Sequence, residues 1–362
     1  MNGANSKAAA GDTYYPGFDW LRGVLALTVV LAHDGLIGWP HAGNFAVQVF
    51  FALSGWLIGN VLLHTRRPDL PRFYFNRAVR IWVPYYIGLA LLLAVSLMRD
   101  HAGLKWFEFV LYKLTFVYNL FGTPQLATHI ADMPLAGTGN HFWSVNAEEQ
   151  FYLLAPLLLV LAAPSLGRAR LTWLTLTLLA WSTSIYPSIV FGVTAAVFAA
   201  HDAAVFQRQV ARALLAVVGV AAAGGLVAGL SYDPLAPLVG ICIVLLLGTP
   251  GRKRPLGAMV GGLSYPLYLN RWLGVFVANA AMRPFGLRGN GGLARALVCV
   301  QHRPRRLALR VGRAALAAPP SAVVHPRHRP PSHVRRLCHD GRGHCARRGV
   351  LPGPGRTALN GL

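Results

Sequence analysis

Arg22 and His33 stand eleven residues apart in a largely apolar run that opens at Phe18. On an α-helix that spacing is about three turns. Both side chains therefore return to nearly one face, roughly 16 Å apart along the axis. Asp19, three residues before Arg22, lies close to the same face. Ionisable groups inside an apolar run are costly there and usually turn toward a cavity or a partner. An imidazole can move a proton near neutral pH. The functional reading puts His33 in a polar, water-accessible cavity, with Arg22 near its cytoplasmic mouth. The plainer reading lets Arg22 snorkel to the interface and His33 bond a neighbouring helix, and spacing alone does not choose between them.

Four further segments carry polar groups into apolar surroundings. Val-Phe-Phe-Ala-Leu-Ser-Gly-Trp-Leu-Ile spans 49–58, and Arg-Phe-Tyr-Phe-Asn-Arg-Ala-Val-Arg-Ile-Trp-Val-Pro-Tyr-Tyr spans 72–86. Phe-Trp-Ser-Val-Asn-Ala-Glu-Glu-Gln-Phe-Tyr-Leu-Leu-Ala-Pro fills 142–156, and Leu-Ser-Tyr-Pro-Leu-Tyr-Leu-Asn-Arg-Trp fills 263–272. With Arg22 and His33, and in this order, they resemble the acyltransferase family 3 membrane proteins, over about residues 14–295. Each motif is loose by itself, and the ordered set is specific.

The resemblance implies O-acylation of sugars or other exported molecules, with acyl-CoA (acetyl-CoA first) as co-substrate and no tightly bound cofactor or metal. Arg22 and His33 match the family's basic-x10-His motif. His33 is then the general base toward an acceptor hydroxyl, or the carrier of a transient acyl group. Arg22 is suited to a phosphate or carbonyl of the donor, because a guanidinium fork binds such oxygens well. Ser54 and Gly55 match the second motif, where small residues also let helices pack closely. Arg77 and Arg80 bind either the phosphates of CoA or anionic lipid. Trp143 is a substrate contact or an interface anchor. Glu148 calls for a partner such as an arginine or for contact with substrate, whereas Glu149 is expected to be the more exposed of the two. Tyr265 and Tyr268 read as packing and hydrogen-bonding residues, with Tyr268 also a candidate substrate contact. One departure stands out: the family's final motif often carries a histidine where this chain has Asn270-Arg271-Trp272.

The elements that must hold these residues are helices. Of 362 residues 54% are hydrophobic and 13% are charged, against roughly a quarter charged in soluble domains. The mean hydropathy is +0.45. Apolar runs recur at lengths near the ~20 residues that cross a ~30 Å hydrocarbon core, and backbone in lipid must satisfy itself, which favours helices. The expected fold is an all-α, polytopic membrane bundle over 14–298, after a short N-terminus at 1–13. Nine spans are read at 18–38, 44–63, 81–98, 150–166, 171–185, 187–200, 213–230, 235–250 and 256–280. The stretch 106–121 holds Lys105, Glu108 and Lys113 in or beside it and reads as interfacial or re-entrant. The N-terminus has no cleavable leader pattern, so the first apolar run reads as retained. Arginines at 66–80, 168–170, 208–212 and 252–254 fall on one side when the N-terminus is cytoplasmic, and a bacterial inner membrane is the expected location. Four cysteines without CxxC spacing argue against a disulfide framework or a zinc site.

The net charge of +22 is uneven. Residues 301–362 hold 13 Arg, no Lys, eight Pro, six His and a single acid, Asp340. A start toward a tenth span at 292–298 gives way to this composition. It is that of a GC-rich gene read out of frame from about residue 299, and the tail 299–362 is expected to be disordered. The rival is a polybasic tail for anionic lipid or nucleic acid; topology argues against it, and no nucleic-acid partner is expected. The partners expected are lipid, acyl-CoA and a hydroxyl-bearing carbohydrate, and nothing in the chain fixes the oligomeric state. A transporter of a polar substrate or protons, and an inactive truncated acyltransferase, remain the alternatives.

Overall fold

The computed structural model describes residues 14–162 and 164–282, and all of the regular structure among them is helical. The N-terminus at 1–13, the start of a tenth span and the basic tail at 299–362 lie outside the described residues. The helices are α1 (Pro16–His33), α2 (Ala42–His64), α3 (Leu70–Leu97), α4 (Leu104–Leu114), α5 (Tyr118–Phe121), α6 (Leu126–His129) and α7 (Phe142–Pro156). They continue with α8 (Pro164–Gly167), α9 (Arg170–Thr183), α10 (Pro187–His201), α11 (Gln209–Val227), α12 (Tyr232–Leu247) and α13 (Pro255–Met282).

Among the described residues every apolar run forms a helix, and several boundaries differ from expectation; the first span, read to 38, ends at His33. The arginine-rich stretch before residue 81 is the first turns of α3, which begins at Leu70. The helix carrying Glu148 begins at Phe142, well before 150. The stretch 106–121 is not one element. It ends α4 at Leu114, turns at Phe116 (φ 56°) and resumes as the single turn α5. The spans read at 171–185 and 187–200 are separate helices, and Ser184 and Tyr186 between them both adopt left-handed backbone.

Ala42–His64, Arg67–Leu97 and Gln209–Val227 are long and apolar enough to cross a membrane, and Pro187–His201 and Tyr232–Leu247 are apolar but shorter. The other spans of the expected nine rest on sequence alone. In α11 an 18-residue window of mean hydropathy 2.1 has 6% of its residues buried inside the protein. So much uncovered apolar surface needs lipid around it, and the chain is a helical membrane protein.

The central element is α2, which packs against α10, α12, α1 and α7. Its contact with α10 is backbone to backbone. A Cβ on Gly55 would lie 2.1 Å from the Ile189 carbonyl oxygen, and one on Gly192 would lie 2.3 Å from that of Ala52. One turn on, Gly59 meets Ala196 and Val193. The packing role expected of Gly55 is therefore met, by the small-residue spacing that lets membrane helices approach closely. On the other side α1 lies along α13, where Gly261 leaves room for Asp19.

A polar scaffold fixes the start of α7. Lys113 is 2% exposed; its Nζ donates to the Gly139 carbonyl at 3.0 Å and sits 3.2 Å from the centroid of the Tyr118 ring. The Tyr118 hydroxyl donates to Asn140 Oδ1, and its backbone N–H donates to Asn146 Oδ1. Asn146 in turn donates to the Tyr85 hydroxyl, which donates to the Lys113 carbonyl. Buried groups joined in this way hold one geometry, because each loses a partner if any member moves. The residues just before α7 are thereby tied to α3 and α4.

Candidate active site

Two polar clusters occupy the helix faces that the sequence motifs mark. The first gathers at the Arg22 end of α1. Glu148 of α7 accepts hydrogen bonds from the hydroxyls of Ser54 in α2 and Tyr152 in α7, and the two hydroxyls lie 3.2 Å apart. The Arg77 guanidinium lies 5.7 Å from the Tyr152 ring centroid, close enough for cation–π attraction. Arg22 lies within electrostatic reach of Arg80, Tyr152 and Glu148, and its Nη1 meets Asp19 Oδ1 at 3.5 Å. Asp19 also accepts a hydrogen bond from the Tyr14 hydroxyl. Five of the expected site residues, Arg22, Ser54, Arg77, Arg80 and Glu148, thus converge from four helices. Three guanidinium groups stand there with the carboxylates of Asp19, Glu148 and Glu149, and a guanidinium fork is suited to phosphate or carbonyl oxygens.

Glu149 departs from expectation. It is 2% exposed, and its Oε1 accepts a 2.6 Å bond from the Trp82 indole of α3. Adjacent positions on a helix point about 100° apart, and here the second carboxylate is the one turned toward α3. Arg80 is exposed, Arg77 is half-buried, and both stand on the first turns of α3.

The second cluster lies at the other end of α1. His33 closes that helix and is exposed, and Gly43 leaves space beside its ring, where a Cβ would come within 3.7 Å of Nε2. No contact joins Arg22 to His33; they anchor separate clusters along one helix. Arg271 of α13 lies within electrostatic reach of His33, Asp34 and His141. His141, the residue before α7, is 3% exposed, and its Nε2 donates to the Leu269 carbonyl at 3.0 Å. The Tyr268 hydroxyl donates to the His141 carbonyl at 3.0 Å and meets Ser144 Oγ at 2.5 Å. Tyr265 donates to the Ile81 carbonyl at 3.3 Å, so both tyrosines have the hydrogen-bonding part read for them. Trp143 packs edge-on against Phe51 at 6.0 Å.

His141 escaped the sequence reading because it stands one residue ahead of the motif and has no periodic partner. Its signal is a histidine directly before Phe-Trp-Ser, where the chain turns into a helix. Arg271 was visible as a departure, without a role. Among the described residues no group of His, Cys, Asp and Glu could hold a metal ion.

Three of the helices that line these clusters are interrupted by proline: Pro84 in α3, Pro156 at the end of α7 and Pro266 in α13. Each lacks the N–H that would bond the carbonyl four residues earlier, which belongs to Arg80, Tyr152 and Gly262 respectively. After Pro156 the chain runs on as a π-helical segment, Leu157–Ala162, a form that often marks functional sites.

The profile of a family described as an acyltransferase domain matches residues 15–300. Among curated proteins, YrhL of Bacillus subtilis, provisionally named a peptidoglycan O-acetyltransferase, is 27% identical over 227 residues, covering 56% of this chain and 33% of its own. The peptidoglycan O-acetyltransferase OatA of Listeria monocytogenes is 28% identical over 165 residues, 41% of this chain and 24% of its own. The O-acetyltransferase OatA of Staphylococcus aureus is 26% identical over 151 residues, 40% of this chain and 25% of its own. The chain therefore spans a quarter to a third of the length of these relatives. No solved structure matches.

Proposed function

The chain belongs to the acyltransferase 3 family, and on that premise we propose a membrane O-acetyltransferase that moves an acetyl group from acetyl-CoA to a carbohydrate hydroxyl, with peptidoglycan as the first acceptor to test. The observation that carries the reading is the convergence of Arg22, Arg77 and Arg80 around the Glu148–Ser54–Tyr152 cluster, three turns along α1 from an exposed imidazole.

In this reading the arginines hold the phosphates of the donor, while Glu148 keeps Ser54 and Tyr152 in place. His33 takes the proton from the acceptor hydroxyl as its oxygen attacks the thioester carbonyl carbon. The carbon–sulfur bond breaks, the CoA thiolate leaves, and the proton passes from the imidazole to that sulfur. The extended pantetheine arm is the part of the donor that would cover the distance between the clusters. With the N-terminus cytoplasmic, Arg22 faces the compartment that contains acetyl-CoA, and His33 faces the exported glycan.

Membranes containing the full chain are incubated with acetyl-labelled CoA and a soluble peptidoglycan disaccharide, beside a His33→Ala variant. Label should reach the glycan in the wild type and fall by about a hundredfold or more in the variant, the usual scale of one acid–base group. Equal transfer by both would remove His33 from the reaction.

A further inference from the structure

His141 and Arg271 present buried nitrogens with nothing to bond. The histidine's tautomer follows from its surroundings. A carbonyl can only accept, so the Nε2 bonded to Leu269 carries the hydrogen, and Nδ1 of the neutral ring is a bare lone pair. That Nδ1 is buried and has no partner among the described residues, and the same is true of Arg271 Nε. Leaving such groups unpaired is expensive, and each calls for an explanation, of which a bound partner is one.

The two belong to one place. Tyr268 and Arg271 are three residues apart on α13 and share a face. Tyr268 is hydrogen-bonded to the backbone of His141, and its ring stands edge-on to that imidazole at 5.7 Å. Arg271 is within electrostatic reach of both His141 and the exposed His33. His141 thus brings an imidazole from the turn before α7 against α13.

The chemistry of the two atoms selects the ligand. Arginine offers donors and no acceptor, whereas His141 Nδ1 is an acceptor. A carboxylate or phosphate would pair with Arg271 and give His141 nothing. A hydroxyl serves both, donating its hydrogen to Nδ1 and accepting at oxygen from the guanidinium. We propose that His141 and Arg271 form a hydroxyl-binding subsite that positions the carbohydrate acceptor beside His33. This rests on the acyl-transfer reading above and adds to it the residues that select the acceptor.

Steady-state kinetics on the full chain, with acetyl-CoA and the peptidoglycan disaccharide, tests it through two substitutions of one residue. His141→Gln places an amide nitrogen where Nε2 stands, keeping the Leu269 bond and deleting the acceptor atom. His141→Asn places an amide oxygen near Nδ1 and loses the Leu269 bond. The glutamine variant should raise the KM for disaccharide about tenfold, the ~1.4 kcal/mol of one hydrogen bond, with the KM for acetyl-CoA and the thermal midpoint unchanged. The asparagine variant should bind disaccharide better than the glutamine one although it melts lower. Arg271→Gln should repeat the rise in disaccharide KM. A glutamine variant that behaves as wild type, or an Arg271→Gln with unaltered disaccharide KM, overturns the subsite. A wild-type chain that consumes acetyl-CoA without acylating the disaccharide also overturns it, yet leaves the donor half of the reading standing. A chain that does neither removes both.

Discussion

The two ends of α1 differ in how far their polar groups are paired. At the Arg22 end most have already found one another: Glu148 with Ser54 and Tyr152, Arg22 with Asp19, and one oxygen of Glu149 with Trp82, its other oxygen being buried without a partner among the described residues. At the His33 end His141 Nδ1, Arg271 Nε and Trp272 Nε1 are buried without partners. A satisfied network is rigid before any ligand arrives, so it can recognise a fixed, highly charged molecule at little further entropic cost. An unsatisfied one gains its bonds when the ligand comes, which makes binding there depend on the ligand's own hydroxyl pattern. Under the proposed function, the difference fits a constant donor at one end and a selected acceptor at the other.

Substitutions at the two ends should therefore move different constants. Glu148→Ala has the largest expected effect. It leaves Ser54 and Tyr152 with only each other and takes a carboxylate from beside Arg22 and Arg77, so transfer should drop by about a hundredfold, the scale of ~2.7 kcal/mol. Side-by-side assays with donor and acceptor varied in turn check this, and a loss confined to acceptor KM would break the division. Next is Gly55→Ala, which forces a Cβ against the Ile189 carbonyl and should cost about 1–3 kcal/mol of stability. Thermal unfolding in detergent measures it, and an unchanged midpoint would mean that α2 and α10 are not held as described.

Arg77→Gln with Arg80→Gln should raise the KM for acetyl-CoA about tenfold while the disaccharide KM stays put. The reverse pattern would exchange the roles of the two ends. The smallest effect expected is that of Tyr268→Phe. It removes one hydroxyl shared by the His141 carbonyl and Ser144, worth about 1 kcal/mol, and should raise the disaccharide KM roughly fivefold. A change in acetyl-CoA KM instead would place Tyr268 with the donor.

Most of the helices were legible because apolar runs broken by Pro, Gly and arginine clusters leave little freedom in their placement. The boundaries that moved are those where a helix begins among aromatic and charged residues, as at Leu70 and Phe142; hydropathy marks the lipid-facing core of a helix and not its polar first turns. The first cluster was legible through its motifs, since Arg22, Ser54, Arg77, Arg80 and Glu148 meet. The exposure of Glu149 was misjudged because it depends on where Trp82 arrives from α3, a contact with no trace in local spacing. His141 was missed for the same reason: its meaning comes from Leu269, far along the chain. The parting of Arg22 from His33 into separate clusters follows from helix rise, yet their shared face suggested one site.

The glycine contact between α2 and α10 bears on how such a protein can change over generations. With backbone against backbone at Gly55 and Gly192, neither helix can shift without the other, and Ser54 is carried on the fixed wall they make. Descendants of this chain that adopt a new acceptor are therefore constrained to do so elsewhere.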